Sequence, residues 1–586
     1  MSLAGFSLAY FRWIGAPLLK VFRGIPKHLD ASGKRIYPET YTSIIGLFFI
    51  IALVITAPLA LILFPFFGLL SLAALAAPVL VLLVGVMIPA SAAQVRASNL
   101  ETEVPFASAY ISVMATGGIS PYKSMERLKT VTLLPNLSEA ARIMDIDVKA
   151  VGMDPVSAME KSAKALPSKE YKDLLLGYAS TLRIGGDVVH YLHRRTQMIF
   201  EERSSKFKII GERVAMLMEG YAAVATLLAL GMYVMFIISK VLPADIGMFT
   251  ADSFVLFAYI LLPVISMIFV YLTDMFQPRY PASDWRIYKL FAMSLPLMFF
   301  CMFIFVIPYY VYPLQTLFAP FLTVPESIRT LLGLEPGFES SIGLCLTIMI
   351  GFIPGMIIHH HYSKESTEVS RGITNFLRDL VEVRKTGMSP ERCIQNLAKT
   401  GDYGRFTKHL KVMARQIGWG LPLQQIYKTF HEKVRGWLPQ ITMYLLIDAI
   451  DVGGGTPEIL ETLTAFGENI EALEKQKQMT MRPLILIPYI GDAVLVASTV
   501  VLIGFLRSIL SIASMSIAYG EFVMLFVPPL ALNGAISGLV AGKVAEERLS
   551  AGFKHAFILT LVTLAAIALS PVVSLSLQLG GSTSGV

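Results

Sequence analysis

At 586 residues with a formal net charge of +7, the chain is long enough for several domains. Hydrophobic residues make up 55% of it and charged residues only 16%, against about 25% charged in ordinary soluble domains, so a wholly soluble protein is excluded. Cys301, Cys345 and Cys393 stand far apart with no CxxC spacing, which excludes a disulfide framework or a thiolate zinc site.

Residues 1–43 are mixed and basic, without the short apolar core and small-residue cleavage site of a secretory signal. A helix through a bilayer takes about 20 apolar residues. Nine blocks qualify: 44–64, 69–88, 220–239, 254–272, 290–311, 342–358, 484–506, 522–540 and 556–575. Two polar stretches, 89–215 and 359–482, interrupt them. The predicted organisation is an N-terminal segment (1–43), two transmembrane helices (44–88), a first soluble module (89–215) and four transmembrane helices (216–358). A second soluble module (359–482) and three transmembrane helices with a short tail (483–586) complete it. Four spans separate the modules, so both face the same side. With the N-terminus in the cytoplasm, 46 of the 49 Lys and Arg residues fall inside, leaving only Lys240, Arg329 and Arg507, in keeping with the positive-inside rule. The expected fold is an all-α, multi-pass protein of the cell membrane, with about nine transmembrane helices and two homologous cytoplasmic helical bundles. Its C-terminus is expected outside.

The two modules repeat one pattern. In the first, Thr116-Gly117-Gly118-Ile119-Ser120-Pro121 is followed by Gly152 and then Gly185-Gly186-Asp187. In the second, Thr386-Gly387-Met388-Ser389-Pro390 is followed by Gly418 and then Gly453-Gly454-Gly455. From the Pro to the middle Gly the gaps are 31 and 28 residues, and from there to the Gly pair 33 and 35. Such spacing marks an internal duplication. Gly suits the left-handed end of a helix, Ser a cap and Pro the first turn of the next helix, so each motif predicts a stop and a restart. Asp154-Pro155 and Leu421-Pro422 repeat the device. Ile459, Leu463, Phe466, Ile470 and Leu473 form a coiled-coil-like stripe, whose counterpart Ile184, Val188, Tyr191 breaks at Arg195.

Each module carries 17 basic and 14 acidic residues, too even a balance for a nucleic-acid reader. The string from Gly538 to Val544 has three residues between its glycines and Val where a nucleotide loop needs Ser or Thr. Gly453-Gly454-Gly455-Thr456 reads as a hairpin turn, and His359-His360-His361, whose side chains diverge on a helix, as an interfacial anchor. Neither HExxH nor GxSxG occurs. A non-enzymatic protein without cofactor or metal is expected. Gly534, Gly538 and Gly542, with Gly351 and Gly355, predict close helix packing within the chain or between two copies. Asp492 lies inside the seventh apolar block, where a carboxylate is costly. It faces either a cavity or a polar partner in the membrane, or lies shallow enough to meet water.

Glu103-x-Pro105, Ala115-Thr116-Gly117-Gly118, the Asp145/Asp147 pair before Gly152-Met153-Asp154-Pro155, and Gly185-Gly186-Asp187 resemble the F domain of type II secretion and type IV pilus machines. Phe376-Leu377-Arg378-Asp379-Leu380, Lys385-Thr386-Gly387-Met388-Ser389-Pro390 and Gly453-Gly454 look like the same domain again. The extra spans make the chain most similar to the archaeal version, the platform of archaella and archaeal pili. That resemblance implies a membrane platform whose cytoplasmic domains bind a hexameric secretion ATPase and which lifts pilin-like subunits into a filament; the glycine seams add a homodimer as a further expectation. Glu103, Asp187, Arg194, Arg195, Arg384 and Lys385 are the expected ATPase-docking residues. The alternative is a secondary transporter with duplicated domains, but here the repeated part is mainly soluble.

Overall fold

A peptide group in hydrocarbon has no partner except its own chain, so the long apolar runs must fold as helices. The computed structural model describes residues 3–33, 36–67, 76–241, 251–277, 285–513 and 519–572, and among them no residue is in a strand. The chain opens with α1 (Leu3–Val21), α2 (Ile25–Ser32), α3 (Pro38–Phe67) and α4 (Ala76–Thr116). Four short helices follow, α5 (Pro121–Leu128), α6 (Pro135–Lys149), α7 (Pro155–Ala165) and α8 (Lys169–Ile184). Then α9 (Val188–Ala222) continues through a π-helical turn (Ala223–Leu228) into α10 (Ala229–Val241). Next come α11 (Ala251–Val255), α12 (Leu262–Phe276), α13 (Trp285–Phe305), α14 (Tyr312–Leu317) and α15 (Ala319–Leu331).

The order then repeats. α16 (Glu339–Lys385) leads into α17 (Pro390–Thr400), α18 (Arg405–Gly418), α19 (Leu423–Lys433) and α20 (Trp437–Gly453). α21 (Pro457–Met481) leads out, through a 3₁₀ turn, into α22 (Leu486–Ala513). Helices α23 (Tyr519–Phe526), α24 (Pro528–Glu546) and α25 (Gly552–Ala568) close the fold. Each module is thus a long helix in, four short helices and a long helix out, which is the duplication restated in three dimensions.

Among the described residues, eight helical runs are long and apolar enough to cross a membrane: Pro38–Pro58, Val188–Ser239, Ser253–Phe276, Trp285–Tyr309, Glu339–Lys385, Pro457–Ser508, Tyr519–Glu546 and Leu549–Val572. Each overlaps one predicted block. The remaining block, 69–88, begins in 68–75, outside the described residues, and its other end opens α4. The tail beyond 572 and part of the basic loop near Arg279 also lie outside them. The segment before the first span contains helix α1, which packs along α3. Gly15 sits against Ser43, Gly46 against Ile14, and Arg12 pairs with Glu39 at 3.2 Å.

By packing, the chain falls into two units, Met1–Ile199 with Leu445–Leu463, and Phe200–Tyr444 with Thr464–Val586. Among the described residues of the second, Phe376, Tyr403, Phe406 and Phe430 cluster in the helical module, and two more aromatic clusters lie among the apolar helices. In one, Phe254 stacks on Phe526 at 4.4 Å. In the other, Phe291 stacks on Phe553 at 4.3 Å. The glycine seam of α24 lies against α25 of the same chain. A Cβ on Gly538 would stand 2.2 Å from the Ala556 nitrogen, and one on Gly542 2.1 Å from the Gly552 nitrogen. Gly351 and Gly355 lie against the side chains of Met298 and Phe553. These glycines therefore pack helices within one chain.

Because the obstacle at Gly538 is backbone, it cannot swing aside. Gly538→Ala is expected to destabilise the detergent-solubilised protein by about 1–3 kcal/mol, the usual range for overpacking, read as a fall in Tm. Gly231→Ala, where no described residue lies within 4 Å of the added carbon, is the matched control and should leave Tm unchanged or slightly raised, Ala being the better helix former.

Candidate functional site: the duplicated helical modules

The stop-and-restart motifs form the same turns in both copies. Gly118 and Gly387 take φ of 79° and 87°, the left-handed region that glycine enters without strain. Ser120 accepts the Lys123 N–H and Ser389 the Arg392 N–H, both at 3.4 Å, with Pro121 and Pro390 opening the helices. At the middle turn the left-handed residues are Gly152 (74°) and Gly420 (75°). Gly418, the expected counterpart of Gly152, is instead the last residue of α18. At the third turn Gly185 (77°) answers to Gly454 (69°), with Gly455 also left-handed (57°). Gly453 ends α20. Asp187 caps α9 through the His190 N–H at 3.0 Å, and Thr456 caps α21 through the Ile459 N–H at 3.5 Å. The different sequences at this turn thus execute one device.

Glu103 decides the course of α6. It is fully buried and accepts the Leu137 N–H at 2.9 Å, the Asn136 N–H at 3.2 Å and the Asn136 side-chain amide at 2.6 Å. A carboxylate at a helix N-terminus satisfies orphan donors and opposes the dipole, although burial still pushes its carboxyl above the ordinary value. From Glu103, α6 runs alongside the end of α4, where Tyr122 meets Asp145 at 3.4 Å. α7 turns back, and α8 returns with Arg183 on Glu160 at 2.9 Å. The turns at Gly118, Gly152 and Gly185 therefore gather at one end of the first module, the end remote from its membrane-bound helices.

That end is apolar as well as turn-rich. Ile143, Ile146, Val151, Leu182 and Ile184 are exposed there, Ile184 at 82% and Val151 at 66%. In the second module Trp419, 74% exposed, precedes Gly420 as Val151 precedes Gly152. The charged residues expected to dock a partner are mostly engaged internally. Besides Glu103 and Asp187, Arg195 pairs with Asp173 at 3.1 Å and Arg384 donates to the Met388 carbonyl at 2.8 Å. Arg194 is exposed, and so is Lys385, which pairs with Glu382 at 3.1 Å. Sequence reasoning weighed charge and missed the apolar group. The available signal was a large apolar residue before a left-handed glycine in both copies.

A second feature went unread in the sequence. Asp448 of the second repeat is 1% exposed. It accepts the Tyr110 hydroxyl at 2.5 Å, Arg127 Nε at 3.1 Å and Arg127 Nη2 at 2.5 Å, while Asp451 lies 3.6 Å from Arg127 Nη2. Tyr110 and Arg127 belong to α4 and α5 of the first repeat, so the two copies are joined by a buried polar knot. A carboxylate on an otherwise apolar helix requires such a partner.

The outgoing helices also meet. Phe200 stacks on Phe466 at 5.9 Å, Ser204 donates to Gln476 at 2.5 Å, and Gly211 faces Thr480. Partner numbers rise together, so α9 and α21 run parallel. The buried face of α9 is Leu192, Thr196, Ile199, Phe207 and Val214, not the expected Ile184–Val188–Tyr191 stripe, whose first member is exposed. In α21 the expected Ile459, Leu463, Phe466 and Ile470 are buried, and the fifth member, Leu473, is partly exposed. Where α24 ends, His359 bonds Ser550 and Glu546, each at 3.0 Å, and Lys477 pairs with Glu547 at 2.8 Å.

Removing Asp448 leaves Arg127 and Tyr110 facing a desolvated gap. Asp448→Ala is expected to cost about 2–3 kcal/mol, at or below the usual range for breaking a buried pair because Arg127 is partly exposed. Tyr110→Phe should cost about 1 kcal/mol. Thermal unfolding of the full chain reads both, and equal Tm values for wild type and Asp448→Ala would show the knot to be idle.

Comparison with known proteins agrees with this arrangement. The family profile described as Type II secretion system (T2SS), protein F matches residues 107–236 and again 376–504. An uncharacterised protein of Methanocaldococcus jannaschii, MJ1286, is 21% identical over 501 residues, covering 82% of each chain. No solved structure matches. Two profile matches, each spanning the short helices and outgoing stalk of one repeat, identify this chain as a multi-pass membrane protein carrying the type II secretion F domain twice.

Proposed function

We propose that the protein is the membrane platform of an archaeal filament-assembly machine of the archaellum or type IV pilus kind. In this reading the N-terminus and both modules are cytoplasmic and the C-terminus is outside, as the distribution of Lys and Arg favours. A hexameric secretion ATPase moves the modules, and the membrane body passes that motion to pilin-like subunits drawn from the bilayer. The chain itself performs no catalysis.

The observation that carries this reading is the pair of uninterrupted helical runs Val188–Ser239 and Pro457–Ser508, 52 residues each. At 1.5 Å per residue each is about 78 Å long. Each run begins at a glycine turn of its module and ends in an apolar span, so a displacement of the module is delivered into the membrane without a hinge of coil. The apolar end of the first module suits the partner. Exposed aliphatic side chains surrounded by charge make productive contact points, whereas rim charges mainly adjust association rate.

The test is capture of the cognate ATPase by full-length protein in detergent. Ile184→Glu and Val151→Glu should each weaken capture by more than about tenfold, a loss of at least 1.4 kcal/mol, with Trp419→Glu reporting the second module and Arg194→Glu producing a smaller, salt-sensitive loss. Undiminished capture by Ile184→Glu together with Val151→Glu would remove this face from the mechanism. Labelling of the two modules from opposite sides of the membrane would remove the platform reading itself.

A further inference from the structure

The membrane body holds one acidic side chain that nothing above explains. Asp492 on α22 is 2% exposed. Its Oδ1 accepts the Asn533 side-chain amide at 3.2 Å, but its Oδ2 is shielded from solvent and has no hydrogen-bond partner among the described residues. No Lys, Arg or His forms an ion pair with it among those residues; the buried lysines Lys477 and Lys543 are held by Glu547 and Asp274. A carboxylate this buried and half satisfied is strongly disfavoured unless something neutralises it.

Gly534 on α24 supplies the space for that something. Three oxygens of different kinds converge where its Cβ would stand: Thr563 Oγ1 at 2.9 Å, Asp492 Oδ2 at 3.3 Å and the Leu559 carbonyl at 3.5 Å. Thr563 donates its proton to the Leu559 carbonyl at 3.0 Å, which leaves the lone pairs of its hydroxyl available. The surroundings are polar for a membrane interior. Tyr221 and Ser537 bond at 2.9 Å. The π-helical turn at Ala223–Leu228 brings Thr226 against Gly491, where an added Cβ would stand 2.7 Å from its hydroxyl. Single π turns inside α-helices recur at functional sites.

We propose that Asp492, Thr563 and the Leu559 carbonyl bind one dehydrated monovalent metal cation, with sodium the best match. The ligands are all hard oxygens, which suits an alkali or alkaline-earth ion rather than a thiophilic metal. A single carboxylate makes the site neutral with one positive charge, whereas a divalent ion would leave a net charge in the membrane body. The glycine is integral, since any side chain at 534 would occupy the ion's place. The bound ion ties α22, the continuation of the second module's stalk, to α24 and α25. Besides Asp492, the titratable groups on α22, α24 and α25 are Tyr489, Arg507, Lys543, Glu546, Lys554 and His555, with Tyr221 of α9 on Ser537 and Asp274 of α12 on Lys543; Tyr489 and His555 bond each other at 2.8 Å. The proposal is independent of the filament-assembly reading.

The experiment uses the full chain in detergent, in choline chloride at constant ionic strength, with sodium chloride added as the probe. Wild type should bind radioactive sodium saturably, one ion per chain, and its Tm should rise with sodium. Asp492→Asn keeps the shape without the charge and should lower sodium affinity by more than about tenfold while the protein stays folded. Thr563→Val should weaken binding less. Absence of saturable sodium binding by wild type, with Tm moving only with pH, would mean that the carboxyl simply carries a proton and would overturn the proposal. Equal sodium binding by wild type and Asp492→Asn would overturn it too.

Discussion

Hydrocarbon offers a peptide group no hydrogen-bond partner, and the architecture of this chain follows from that constraint. Every span has to satisfy its own backbone, so each is a helix. Once a helix has formed in the membrane, extending it beyond the surface adds one bond per residue fixed and needs no new nucleus. Among the described residues the chain exploits this three times: the α9–α10, α16 and α21–α22 runs each carry an apolar span into, or out of, a polar bundle without a loop between. The bundles are therefore ordered by the membrane segments, and their short helices need only fill in between stiff supports.

The price of stiff supports is that they must be tied to one another with some precision. Apolar contact alone allows sliding, because one leucine against another is little different a turn away. Directional bonds do not. Glu103 fixes where α6 begins, and Asp448 fixes where the second repeat meets α4 and α5 of the first. Ser204 and Gln476 fix the register of the parallel stalks. All these are placed on long helices or at helix starts, where an error would be carried along the whole element. The same logic explains the glycines of α24. With α25 at backbone contact distance, the pair can close only in the register that sets glycine against main chain.

Much of this was legible before any coordinates. Long apolar runs announce their helices by length alone, and the Gly-Ser-Pro turns announce theirs by chemistry that acts over four or five residues. Harder to read were properties that depend on which residues meet. Gly418 and Gly420 are two residues apart in a Gly-rich turn, and only the backbone conformation says that the second is the left-handed one. Glu103 and Arg195 look like surface charge in the sequence, but their partners Asn136 and Asp173 are set by tertiary packing, while Arg384 folds back on the Met388 carbonyl four residues on. Asp448 is the extreme case, since its partners lie more than 300 residues away. The exposed Ile184 was misread for the opposite reason: its spacing fits the helical stripe, yet it ends α8, before the glycine turn that opens α9.

Duplication within one chain also permits what two copies of a separate protein cannot have, namely divergence between the halves. The turn devices stay equivalent, since Asp187 caps α9 with a carboxylate and Thr456 caps its counterpart α21 with a hydroxyl. The surfaces do not. The first module exposes a group of aliphatic side chains at its remote end, while the second exposes Trp419 there and holds its Asp448 against the first repeat. Identical subunits around a symmetry axis must present identical faces to a partner. A tandem pair escapes that rule. One half can be shaped for an external partner and the other for its sibling. Parallel stalks then place both halves on the same mechanical footing inside the membrane, so asymmetry at the bundles need not become asymmetry in how they are anchored.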